Sequence, residues 1–80
     1  MQERMIKIAR LRLGEPFEEI QYLAITVDPT IEGFFLRLHA KLDQPSLAEY
    51  WFETLELIDR QAKTLFGNRF EGWQEPSSLA

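Results

Sequence analysis

Residues 46–67, SLAEYWFETLELIDRQAKTLFG, constrain the chain most, because both ends of a helix are written into them. Ser46 and Glu49 have the S-x-x-E spacing of a capping box, in which two side chains satisfy backbone N–H groups of the first turn. Gly67 stands where a helix C-terminus favours a residue with positive φ. Between these ends Leu47, Trp51, Leu55, Ile58, Ala62, Leu65 and Phe66 recur at helical spacing and form one apolar stripe. Glu56–Arg60 and Asp59–Lys63 are i,i+4 pairs in the favourable order. The spacing predicts one helix of about 30 Å.

Everything before it reads as strands. In MIKIARLRL, residues 5–13, the apolar positions change parity near Ala9, with Ile6 and Ile8 on one face and Leu11 and Leu13 on the other. A bulge, or a strand covered on both faces, produces that shift. Gly14-Glu15-Pro16 signals a turn. Residues 18–27, EEIQYLAITV, are rich in β-branched and aromatic types and apolar on both faces after Glu19, as a central strand requires. Asp28-Pro29-Thr30 fits a type I turn. In residues 31–42 the alternation is clean from Phe34. Phe34, Leu36, Leu38, Ala40 and Leu42 point one way; Phe35, Arg37, His39 and Lys41 point the other.

The expected fold is therefore α+β. A three-stranded antiparallel β-β-β meander is followed by one long helix packed on one face. Its core is expected from Ile8, Leu23, Ile25, Val27, Phe34, Leu36, Leu38, Leu47, Trp51, Leu55, Ile58, Ala62 and Leu65. Residues 1–73 are expected to form a single domain. Phe70 and Trp73 are too apolar for free coil and should fold back onto it, leaving 74–80 as a disordered C-terminal tail.

Eighty residues leave little core to spare, and the chain has no cysteine. Disulfides, thiolate metal sites and cysteine nucleophiles are thereby excluded. Association with another chain is the expected reinforcement, through a homodimer or another protein. No apolar run approaches the ~18 residues that span a bilayer. No signal-peptide pattern is visible at the N-terminus. With the lack of cysteine, this favours a cytoplasmic setting and no membrane partner.

The net charge of −4 is unevenly spread. Residues 1–14 carry Arg4, Lys7, Arg10 and Arg12 against Glu3, whereas residues 15–30 carry Glu15, Glu18, Glu19 and Asp28 with no base. Overall acidity argues against nucleic acid as the partner, since basic charge supplies that affinity. A cationic sheet face is still present in the pattern: Phe35, Arg37, His39 and Lys41, with Arg10 and Arg12 close if the first strand lies alongside. It reads as a solvated face, as a surface for an acidic protein, or less readily as a single-strand platform, for which one aromatic is too few.

No phosphate loop, H-E-x-x-H or G-x-S-x-G motif occurs. His39 is the only histidine and reads as a surface residue, with acid/base work in a basic groove as the alternative. No enzyme activity, metal or cofactor is expected. The acidic side of the helix (Glu49, Glu53, Glu56, Asp59) lacks the Glu-x-x-His partner of a bundle metal site. It reads as a solvated face or as one that meets a basic partner.

Tyr50, Trp51 and Phe52 follow one another, so on a helix they cover about 200° and no single sheet buries all three. Tyr50, Phe52 and Leu57 are thus candidate protein contacts, with Glu49, Glu53 and Glu56 beside them. The expected function is non-catalytic binding to another protein. Its concrete form is a small acidic inhibitor of the immunity or anti-defence type, bacterial or phage, that masks a basic site. An accessory or structural subunit of a larger assembly is the alternative.

Overall fold

In the computed structural model, which describes residues 3–15 and 17–79, four strands form one antiparallel sheet in sequence order. They are β1 (Arg4–Arg10), β2 (Tyr22–Val27), β3 (Phe34–His39) and β4 (Ala48–Phe52). One helix, α1 (Leu55–Phe66), packs against one face, and short 3₁₀ turns follow at Gly67–Arg69 and Pro76–Leu79. The α+β class and the helix-on-sheet packing match the sequence. The strand count does not: there are four strands, because the first half of the expected helix is β4.

The local physics explains the correction. Tyr50, Trp51 and Phe52 belong to the types that favour a pleated surface over a helix. Their segment pairs with β3 in an unbroken register, Phe34 opposite Phe52, Leu36 opposite Tyr50 and Leu38 opposite Ala48. Ser46 and Glu49 do not cap a helix; both bind the guanidinium of Arg37. The real N-cap is Thr54, whose hydroxyl accepts from the Leu57 N–H at 3.2 Å. The far end is as expected. Gly67 stops α1 with φ 48° and donates its N–H to the Lys63 carbonyl. The helix has 12 residues, hence about 18 Å, which suits strands of this length.

β2 is one of the two inner strands and is buried on both faces from Leu23 to Thr26. Asp28 closes the β2–β3 turn as its position implies. Its carboxylate accepts from the Thr30 hydroxyl and N–H, and its carbonyl accepts from the Ile31 N–H. Those Thr30 bonds hold the Asp28 carboxyl below the ordinary range. β3 is shorter than its alternation suggests, and the irregularity in β1 falls between Met5 and Lys7 rather than near Ala9. That shift lets Ile6 and Ala9 both reach the helix side. Pro16, Met1, Gln2 and Ala80 lie outside the described residues.

The core forms where α1 lies on the sheet. Ile58, Ala62 and Phe66 meet Ala9, Leu23, Ile25, Leu36 and Leu38, all buried. Each large aliphatic buried this way contributes roughly 1.5–3 kcal/mol. Val27, Phe34 and Leu65 are half-buried. Ile8 is buried on the face away from the helix. Leu47, Trp51 and Leu55, expected in the core, are exposed, since the stripe that united them was not one helix.

The C-terminal segment closes one edge of the sheet. Residues 69–74 run back along β1. Arg12 N–H donates to the Arg69 carbonyl, and Ile8 and Gln74 exchange both backbone hydrogen bonds, at 2.9 and 2.7 Å. Phe70 and Trp73 fold onto the core as anticipated, edge to face at 5.1 Å. The Trp73 indole N–H donates to Asp59 at 3.0 Å, and Lys7 pairs with Glu75 at 2.6 Å. Gln74 bridges Ile8 and the turn at Pro76–Leu79 lies against β1.

Arg69 holds this arrangement from inside. It is 4% exposed. Its guanidinium donates to the carbonyls of Arg12 (2.6 Å), Phe17 (3.0 Å) and Ile20 (2.7 Å) and lies 5.7 Å over the Phe66 ring. Phe17 takes a left-handed φ of 57° and meets Phe66 edge-on at 6.1 Å. Among the described residues, no helix is long and apolar enough to cross a membrane.

Arg69→Ala should lower the unfolding free energy by about 3 kcal/mol, since buried acceptors left unpaired cost roughly 1–3 kcal/mol each. Arg69→Lys should recover less than half of that in urea melts, because one ammonium cannot span three carbonyls. A second expectation concerns acid. Hydrogen bonds from Lys63 and then Trp73 lower the Asp59 pKa below its ordinary 3.8. A depressed carboxyl contributes stability above the unfolded pKa and loses it as pH falls through the folded one. Trp73 fluorescence should therefore report loosening of the 69–75 segment below about pH 4, and Asp59→Asn should flatten that part of the titration.

Candidate protein-binding edge

The two sheet edges differ. The outer side of β1 is paired with the 69–74 segment, whereas β4 is the terminal strand and no described residue pairs with its outer side. A terminal strand presents unpaired backbone N–H and C=O groups, and native proteins usually blunt it. Here it is apolar instead. Leu47 is 58%, Tyr50 49% and Trp51 50% exposed.

Strand alternation sorts these side chains by face. Ala48, Tyr50 and Phe52 point to the helix side, like their partners Leu38, Leu36 and Phe34. Leu47 and Tyr50 line an open trough of about 190 Å³ with Phe17 and Leu65, and Glu19 lies on its rim. Leu57 sits on the flank of α1 opposite Asp59, about 80° round the helix from Leu65, and is exposed. Phe52 is half-buried in the core. Of the sequence-derived contacts, Tyr50 and Leu57 are accessible and Phe52 is largely spent inside. Phe17 and Leu47 join them; the loop placement of Phe17 carried no periodic signal.

Trp51 points to the other face and is fixed there. Its indole N–H donates to the Glu32 carbonyl at 2.7 Å. Its ring lies against Gly33, where an added Cβ would sit 2.6 Å from three indole atoms. Gly33 also has φ +92°, so both its conformation and its missing side chain are required. Sequence reading placed Gly33 inside a strand and missed this role.

The acidic row is redistributed. Glu49 lies on β4 opposite Arg37, Glu53 follows β4, and only Glu56 and Asp59 ride on the helix, paired with Arg60 and Lys63. The cationic face is likewise broken up. Arg37 binds Glu3 at 2.6 Å and Glu49 at 2.5 Å, donates to Ser46 and Thr26, and stacks 5.8 Å over Phe35. The Glu3 hydrogen bond, helped by both carboxylate charges, raises the Arg37 pKa. His39 is buried rather than exposed. Its Nδ1 lies 3.1 Å from the Gln44 carbonyl, which can only accept, so Nδ1 carries the proton. Nε2 has no partner among the described residues. Arg12 is held by the Asn68 carbonyl and, at 4.0 Å, by Glu71. Arg10 and Lys41 line a shallow depression with Tyr22 and Asp43 at one end of the sheet. Among the described residues, no three acidic or histidine side chains gather as a metal-holding group.

β1 carries Arg4, Lys7 and Arg10, with Lys7 paired to Glu75, while Glu19 lines the trough at the open edge and Glu53 directly follows β4. Compared with known proteins, the chain matches no family model, no curated protein and no solved structure.

Gly33→Ala should destabilise the protein by roughly 1–3 kcal/mol through combined backbone strain and overpacking. It should also shift Trp51 emission as the indole leaves the Glu32 carbonyl. An unchanged spectrum and melting curve would contradict the described packing.

Proposed function

We propose that the protein is a non-catalytic binding module that takes an extended, basic segment of a partner protein along β4, in the manner of a small inhibitor masking a basic site. The observation that carries this reading is the asymmetry of the sheet. One edge is sealed by the chain's own C-terminal segment, and the other is left open with large apolar side chains on it.

The chemistry of such docking follows from the edge. Backbone groups of β4 supply strand-addition hydrogen bonds, which give affinity with little sequence demand. Tyr50, Leu47 and Leu57 offer apolar anchors on the helix side, and aromatic anchors dominate interface energetics. Glu19 and Glu53 favour cationic side chains at the rim and steer their approach. The partner strand that suits this edge alternates apolar and basic residues, its apolar side facing the trough.

A synthetic peptide of alternating Val and Lys tests the reading, with Trp51 emission as the readout. Binding is expected near 10 μM, about −7 kcal/mol. It should weaken several-fold as salt rises and fall about tenfold in Tyr50→Ala, a loss of ~1.4 kcal/mol. Arg10→Glu, at the far edge, should leave it unchanged. Equal binding by an alternating Val/Glu peptide would refute the role given to the acidic rim.

A further inference from the structure

Most cations of this acidic chain are already engaged. Lys7, Arg12, Arg37, Arg60 and Lys63 each pair with a carboxylate, and Arg69 is bonded to carbonyls. Among the described residues Arg4, Arg10 and Lys41 have no such partner, although the chain holds thirteen acids against nine bases. Two of these three, Arg10 and Lys41, line one open depression of about 390 Å³ at the end of the sheet. We propose that this depression binds a small organic phosphate, a phosphate monoester carried on a flat ring. The site is separate from the docking edge at β4 and does not depend on it.

The backbone around the depression is held on every side. Arg10 stands opposite Tyr22, and Tyr22 opposite His39, so the three form one cross-strand row. Beyond the row the ladder continues: the Leu11 N–H donates to the Gln21 carbonyl and the Gln21 N–H to the His39 carbonyl, both at 2.9 Å. The turn after β3 is closed by the Gln44 N–H on the Lys41 carbonyl at 3.2 Å. Buried His39 pins that turn through Nδ1, 3.1 Å from the Gln44 carbonyl. Neighbouring strands lie about 4.8 Å apart, so Arg10 and the residues after β3 are rooted roughly 10 Å from each other across Tyr22. Long side chains from both sides can reach one ligand in that gap.

The lining selects the chemistry. An arginine offers a fork of N–H donors that matches phosphate oxygens, and a lysine adds a point charge. Two cations from opposite sides suit a dianionic, tetrahedral group better than a planar carboxylate with one charge. The Tyr22 hydroxyl has no hydrogen bond to any described residue and can donate to the same group. The Tyr22 ring and Leu42 supply an apolar surface beside the cations, against which a flat ring packs. Asp43 also lines the depression yet pairs with neither cation, so the lining carries two positive charges against one negative. That balance admits one phosphate, while a longer polyphosphate meets a chain of net charge −4.

Titration of the protein with phenyl phosphate, followed by amide NMR shifts, tests the assignment. Saturable shifts in the low-millimolar range are expected at residues 10, 21–22 and 41–43. Benzoate and inorganic phosphate should each bind several-fold more weakly. Arg10→Gln and Lys41→Gln, both at exposed positions, should each weaken phenyl phosphate about fivefold, as loss of one solvent-exposed charge contact implies. Arg4→Gln, the unpaired cation outside the depression, should leave it unchanged. Raising NaCl should weaken binding. Absence of shifts up to saturation of the buffer, shifts spread evenly over all basic residues, or Lys41→Gln binding as the unaltered chain does would each overturn the proposal. Trp51 emission should stay constant throughout; a response there would place the ligand at the β4 edge and contradict this site.

Discussion

The guanidinium of Arg69 is the interaction on which the arrangement of this small chain depends. It is buried and bonded to carbonyls at 12, 17 and 20, so it ties the β1–β2 connection to the C-terminus of the helix. With no disulfide available, that tie stands where a covalent staple often does in a domain of this size. It also determines where the chain goes next. Residues after Arg69 leave the helix beside β1 and pair with it, which places Phe70 and Trp73 on the core and closes that edge. The open edge at β4 is the complement of this closure.

A second network governs what the far face of the sheet can do. Arg37 gathers Glu3, Glu49, Ser46 and Thr26 around one cation. It thereby removes the strongest positive charge from a face that the residue pattern alone presents as cationic. The same pairing takes Glu49 away from a helical acidic row. What remains is a sheet whose uncovered backbone, exposed aromatics and acidic rim coincide at β4. The proposed protein binding is thus assigned to the edge rather than to the face.

Much of this was legible, and the failures have one origin. The alternation in β3, the two-sided burial of β2, the Asp28 turn and the Gly67 stop each rest on local chemistry that the fold preserves. The segment 46–54 does not, because S-x-x-E also describes two ligands for a distant arginine, and apolar spacing across Trp51 and Leu55 joins a strand to a helix by coincidence. Nothing local distinguishes Thr54 as the true cap until the aromatic run is assigned to a strand. Arg69 and Gly33 carried no signal at all; one is a charge inside a polar stretch, the other a glycine whose neighbour arrives from residue 51. The sequence marks Tyr50, Phe52 and Leu57 as surplus to what one sheet can bury; Tyr50 and Leu57 are exposed, whereas Phe52 is half-buried against the core.

Hydrogen exchange on the two sheet edges tests the central claim most directly, with the free dilute protein compared against the protein saturated with an alternating Val/Lys peptide. Protection should rise across Ala48–Phe52 and stay unchanged along β1. Protection appearing instead on the Glu56/Asp59 flank of the helix, with β4 still exchanging freely, would contradict the account.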